Sequence, residues 1–154
     1  MLWLLTWHNN AILLSTIVMI LLFTTLIFGF NLTTIPTLYK ITISAYFGWI
    51  SVALIANITV LFTAYNIVPF NLSETFWFIT IIIVGLGIAL TTLIVTKNTV
   101  YSMVFIWAYF GIFSRYLFES SPIKPVALSL VGTSLIILIG FTLFQWIQNN
   151  QKLF

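Results

Sequence analysis

Very few side chains in this sequence could carry out acid, base or metal chemistry. There is one histidine, His8, there is no cysteine, and the only acids are Glu74 and Glu119. Thiolate nucleophiles, disulfides and thiolate–metal sites are therefore excluded. His8 precedes the first long apolar run, where a lone imidazole reads as an interfacial polar group rather than a ligand. Glu74 and Glu119 fall between apolar runs and supply no pair of carboxylates at a reacting centre. The expectation is a protein that is not an enzyme and binds no metal.

What remains is a set of aromatic and uncharged polar groups. Tyr46, Trp49, Ala53 and Asn57 recur at i, i+3, i+7 and i+11, one face of a helix. A phenol, an indole N–H and an amide thus share a stripe with a small residue between them. In hydrocarbon an unpaired amide is costly, so this stripe should face protein or a cavity. Two readings stay open. Asn57 could bond a neighbouring helix, with Ser44 and Gly48 permitting close approach, or the stripe could line a ligand site. A later segment repeats the theme with Tyr101, Phe105, Trp107, Ala108 and Tyr109. Trp107 lies far from either end of its apolar run, and a buried indole N–H wants a partner.

The elements that must position these groups follow from composition. The 154 residues are 62% hydrophobic and 5% charged, with a mean hydropathy of +1.20. Soluble domains carry roughly 25% charged residues, so this chain cannot clothe a water-facing surface. A soluble enzyme, a nucleic-acid-binding domain and a disordered linker are excluded. The pI near 9.4 reflects scarce acids rather than a basic patch, because the cations are scattered singly.

Crossing about 30 Å of hydrocarbon takes roughly 20 apolar residues in a helix. Uncharged runs of that kind occur at about 11–30, 41–66, 75–96, 99–118 and 125–148. The expected fold is all-α, a bundle of five transmembrane helices forming one polytopic domain over 1–154 with no soluble domain. The N-terminal MLWLLTWHNN, with Trp3 and Trp7, suits the membrane interface. It carries no Lys or Arg ahead of the apolar run, so the first run reads as a helix rather than a secretory signal. Pro36 marks one loop, and Pro69 with Asn71 marks another. Ser73 is placed to cap the third span. Lys97 and Asn98 leave room only for a tight antiparallel hairpin, and ESSPIK, 119–124, forms the most polar loop. Five crossings set Lys40, Lys97 and Lys152 opposite Arg115 and Lys124, which leans toward an inner C-terminus.

The stretch Tyr46 to Asn57, YFGWISVALIAN, resembles the aromatic–x–x–Trp, Ala, Asn signature in the last helix of the tryptophan-rich sensory protein family, TspO/MBR. The stretch VYSMVFIWAYFGIFSRY, 100–116, is similar to a segment of longer bacterial members with extra helices after the core. The resemblance covers roughly 41–116. Under it the spans would be the last two core helices plus three appended ones, with the family's N-terminal core helices absent. It implies a hydrophobic ligand, tetrapyrrole- or sterol-like, bound in the membrane by Tyr46, Trp49, Ala53, Asn57 and Trp107. The partners expected are membrane lipids and that small molecule, with other membrane subunits or a second copy of the chain also open, and no nucleic acid. The alternative is a non-catalytic subunit scaffolding a larger membrane complex. Either places the chain in a bacterial plasma membrane or an organelle membrane.

Overall fold

The computed structural model describes residues 2–29, 37–65 and 73–151. The loop with Pro36, the turn with Pro69 and Asn71, and Lys152 lie outside them. The described residues form six helices: α1 (Leu2–His8), α2 (Ile12–Gly29), α3 (Thr37–Ala64), α4 (Glu74–Thr96), α5 (Thr99–Phe118) and α6 (Lys124–Gln151). Helices α3 to α6 are long and apolar enough to cross a membrane, and α2 is a shorter apolar helix. The chain separates into two compact units, Met1–Leu72 and Ser73–Phe154.

In the first unit, α1 is one element more than the five spans expected. It ends in a Schellman turn: Asn10 takes the left-handed conformation at φ 57°, its N–H bonds the Trp7 carbonyl, and the Ala11 N–H reaches back to the Thr6 carbonyl. Asparagine tolerates that conformation better than most residues with a Cβ, so HNN supplies the stop. At seven residues, about 10 Å, α1 is too short to span a membrane.

Helices α2 and α3 pack antiparallel. The rings of Phe23 and Phe47 stack with centroids 5.4 Å apart. Further along α3, Asn57 meets Ser15 and Thr16, nearer the start of α2. The buried face of α3 combines Phe47 and Ile50 with the small residues Ser44, Gly48 and Ser51. The Ser44 and Ser51 hydroxyls donate to the carbonyls of Lys40 and Phe47 one turn back, so the serines give close helix approach without an unpaired group. Helix α3 starts at Thr37, earlier than expected. At 28 residues, about 42 Å, it exceeds the hydrocarbon thickness, so Lys40 can sit in its first turns with the ammonium extended toward headgroups.

The second unit is a three-helix arrangement with a regular seam. Its buried residues are Ile82, Gly85, Ala89 and Leu93 on α4, Tyr101, Ser102, Phe105 and Tyr109 on α5, and Ala127, Val131, Ser134, Leu138, Thr142 and Gln145 on α6. Spacings of three and four on α4 and α6 keep one stripe of each helix against its neighbours. On α6, Gly132 is pressed against α5, and a Cβ there would lie 3.3 Å from Phe113 Cε2.

The α4–α5 link has only two residues, as the sequence implied. Lys97 is left-handed at φ 54° and its N–H caps α4 on the Leu93 carbonyl. Asn98 then caps α5, its side chain accepting from the Tyr101 N–H at 3.1 Å. Asn98→Ala is expected to destabilise this unit by about 1 kcal/mol, with Asn98→Asp close to neutral; unfolding in detergent would measure both. Ser73 caps α4 in the same way, accepting from the Phe76 N–H at 3.2 Å. Helix α6 runs beyond the expected end through Asn149 to Gln151, because polar residues at the interface can continue a helix once hydrocarbon is passed.

Candidate functional site

The stripe Tyr46, Trp49, Ala53 and Asn57 does lie on one face of α3, but its burial changes along the helix. Tyr46 is 45% exposed and Trp49 43%, Ala53 is half-buried, and Asn57 is 3% exposed. Helix α2 covers the Asn57 end, whereas beside Tyr46 and Trp49 it contacts the adjoining face through Phe47. The result is an aromatic surface at one end of the stripe and a polar knot at the other.

In the knot, Asn57 Oδ1 accepts from the Thr16 hydroxyl at 3.3 Å and Nδ2 donates to Ser15 Oγ at 3.5 Å. Thr16 also donates to the Ile12 carbonyl at 2.9 Å, so its one proton is shared. These are long, weak bonds, but they hold three buried polar groups together in the α2–α3 contact. This matches the interhelical reading of Asn57, worth about 1 kcal/mol per contact in lipid. Asn57 therefore fixes where α2 lies beside the aromatic surface.

Trp107, on α5 in the second unit, is 62% exposed rather than buried, and Met103 and Phe110 are exposed on the same helix. The aromatic residues that build the α5 core are Tyr101, Phe105 and Tyr109. The Tyr109 hydroxyl donates to the Ile82 carbonyl, tying α5 to α4 across their buried faces. Mid-span position alone did not separate Trp107 from these residues. The four-residue spacing of 101, 105 and 109 did carry that information, since it defines one face that excludes 107.

A second polar feature went unread in the sequence. Ser102 Oγ and Thr142 Oγ1 lie 2.9 Å apart between α5 and α6, and Asn149 Nδ2 donates to the Lys97 carbonyl at 3.3 Å. Gln145 sits between these two contacts along α6. The available signal was the 3–4 spacing of 127, 131, 134, 138, 142 and 145, which assigns Thr142 and Gln145 to the packed stripe.

At the other end of α5, Arg115 Nε donates to Glu119 Oε2 at 2.7 Å in an exposed ion pair. That hydrogen bond and the adjacent positive charge hold the Glu119 carboxyl below the usual carboxylate range. Lys124 Nζ donates to the Leu117 carbonyl at 2.9 Å, completing the end of the helix. Each of these charged groups thus has a helix-end role. Among the described residues, no group of three or more His, Cys, Asp or Glu side chains comes together where a metal could bind.

No match is found among curated proteins or solved structures. A family model described as TSPO-like protein matches residues 1–145. The match extends well beyond the stretch that carried the sequence resemblance and takes in α1 and α2 as well as most of α6. With an all-helical fold and helices able to cross a membrane, the chain is a member of the TSPO-like family of membrane proteins.

Proposed function

We propose that this protein binds or carries a hydrophobic ligand of tetrapyrrole- or sterol-like shape within the membrane, without catalysing its conversion. The observation that carries this reading is the α3 face on which Tyr46 and Trp49 turn outward from their own unit beside half-buried Ala53, in a chain of the TSPO-like family. A flat apolar ring gains contact area and offset stacking on a phenol and an indole, and a small residue between them leaves room for its edge. Asn57 supports that surface by fixing α2. Trp107 offers a further exposed aromatic ring on α5.

Tetrapyrrole titration followed by tryptophan fluorescence tests the proposal. Saturable quenching is expected. Trp49→Phe should remove a large share of its amplitude, and Trp49→Ala should weaken binding by roughly tenfold, the scale of one lost stacking partner with its buried area. Absence of saturation, or quenching that is unchanged in both Trp49→Phe and Trp107→Phe, would sink it. Native mass measurement after gentle extraction separates this reading from that of a scaffolding subunit, which requires the chain to leave the membrane within a larger complex.

A further inference from the structure

Both acids of the chain and two of its cations lie at one end of the second unit. Arg115 is in the last turn of α5 and Glu119 follows it, Lys124 opens α6, and Glu74 opens α4. The rings of Phe78 and Tyr116, with centroids 5.4 Å apart, hold the first turns of α4 against the last turn of α5. At the opposite end of α5 stand Lys97 and Asn98, with no acid near them in sequence. A snorkelling cation is enough to anchor a helix end, so a balanced set of both signs asks for another reason.

These groups are reachable and not fully used. The Arg115 side chain is 70% exposed and that of Glu119 40%. The guanidinium bonds Glu119 Oε2 through Nε at 2.7 Å, which among the described residues leaves its Nη donors and Glu119 Oε1 open. The Lys124 ammonium gives one donor to the Leu117 carbonyl and keeps the others. An exposed pair of this kind adds little to stability. It does present donors and an acceptor side by side, and at a defined depth. With 20 residues, α5 is about 30 Å long, the thickness of the hydrocarbon layer, so its last turn meets the phosphate level. Phe118, 90% exposed, and Leu117 adjoin it as apolar surface for acyl chains.

We propose that this end of α5 docks the headgroup of a phospholipid bearing a primary ammonium, its phosphate taken by Arg115 and Lys124 and its ammonium by Glu119. The two Nη groups of Arg115 can hold two phosphate oxygens at once. Charges of both signs on the protein suit a headgroup that carries one of each, whereas an anionic headgroup brings nothing to pair with Glu119. A quaternary ammonium lacks the N–H that Glu119 Oε1 accepts. The surface lies in the second unit and its test involves no tetrapyrrole, so it stands or falls apart from the reading of α3.

The probes are dioctanoyl phosphatidylethanolamine, phosphatidylcholine and phosphatidylglycerol, each added to the full chain in dodecyl maltoside. Lipid adducts in native mass spectra and thermal unfolding are the readouts. Saturable binding of phosphatidylethanolamine is expected, about tenfold tighter than phosphatidylcholine, the scale of one charge-assisted hydrogen bond, and tighter than phosphatidylglycerol. Glu119→Gln should erase the preference over phosphatidylcholine, and Arg115→Gln should weaken binding of all three lipids. Lys97→Gln, at the other end of α5, should change nothing. Equal binding of phosphatidylethanolamine and phosphatidylcholine overturns the proposal, and this comparison uses the unaltered chain, so it holds even if a variant fails to fold. Tighter binding of phosphatidylglycerol overturns it in favour of a plain anion surface. A folded Glu119→Gln protein that keeps the preference also overturns it.

Discussion

Phe105→Ala is expected to destabilise the second unit by about 2–3 kcal/mol, the cavity share of what truncating a buried ring costs. Phe105 is almost fully buried, it contacts Tyr101 with ring centroids 5.3 Å apart, and it occupies the α5 stripe between Tyr101 and Tyr109. Removing the ring takes away its dispersion contacts and leaves a cavity that a three-helix seam can close only in part. In a membrane the aromatic ring gains little by leaving lipid, so the loss is dominated by packing rather than by water exclusion. Denaturant titration in mixed micelles gives the value. Phe105→Leu, which keeps most of the volume, should recover more than half of it. A loss below about 1 kcal/mol for the alanine variant would mean that the seam is not packed as described.

The second large effect belongs to Asn57. Asn57→Asp is expected to cost about 2–3 kcal/mol at neutral pH, since it puts an uncompensated carboxylate into a buried helix contact within an apolar span. Among the described residues, the groups that bond Asn57 are two hydroxyls, Ser15 and Thr16, which bring no positive charge. The sign with pH follows. The penalty belongs to the charged form of the introduced acid, so it is greatest at high pH and shrinks as pH falls and the acid is protonated. Asn57→Ala should cost only about 1–2 kcal/mol with no pH dependence, because it removes two weak bonds and some packing. Stability measured at pH 5 and pH 8 separates the two. A pH-independent Asn57→Asp protein would show that Asn57 is open to water rather than held in the α2–α3 contact.

How far the fold could be read from sequence varied with the physics of each segment. Helix α5 was legible to the residue because Asn98 and Glu119 are polar stops on both sides of an uninterrupted apolar run. The ends of α3 and α6 were not, because Lys40 and the Asn149–Gln151 tail interrupt hydrophobic runs inside helices that continue through them. A charged or amide side chain stops a hydrophobic run without stopping a helix. Helix α1 was placed at the interface by composition, but its helicity depends on a Schellman turn at Asn10 that apolar periodicity does not report. For the candidate site, spacing correctly put Tyr46, Trp49, Ala53 and Asn57 on one face. It could not say that α2 would cover the Asn57 end and leave the aromatic end exposed, which depends on how two helices cross. Trp107 was singled out by residue type and depth, whereas the 101–105–109 register decided which α5 aromatics are buried.

The two-residue link between α4 and α5 bears on how the protein comes to be oriented at all. With Lys97 closing one helix and Asn98 opening the next, there is no slack for either helix to turn over without the other. The pair must enter the bilayer as a single hairpin, and Lys97 at its tip votes once for both crossings. Topology in this half of the chain then turns on Lys97 and Lys152 against Arg115 and Lys124, two cations a side, so moving a single cation is expected to tip the orientation of three helices together.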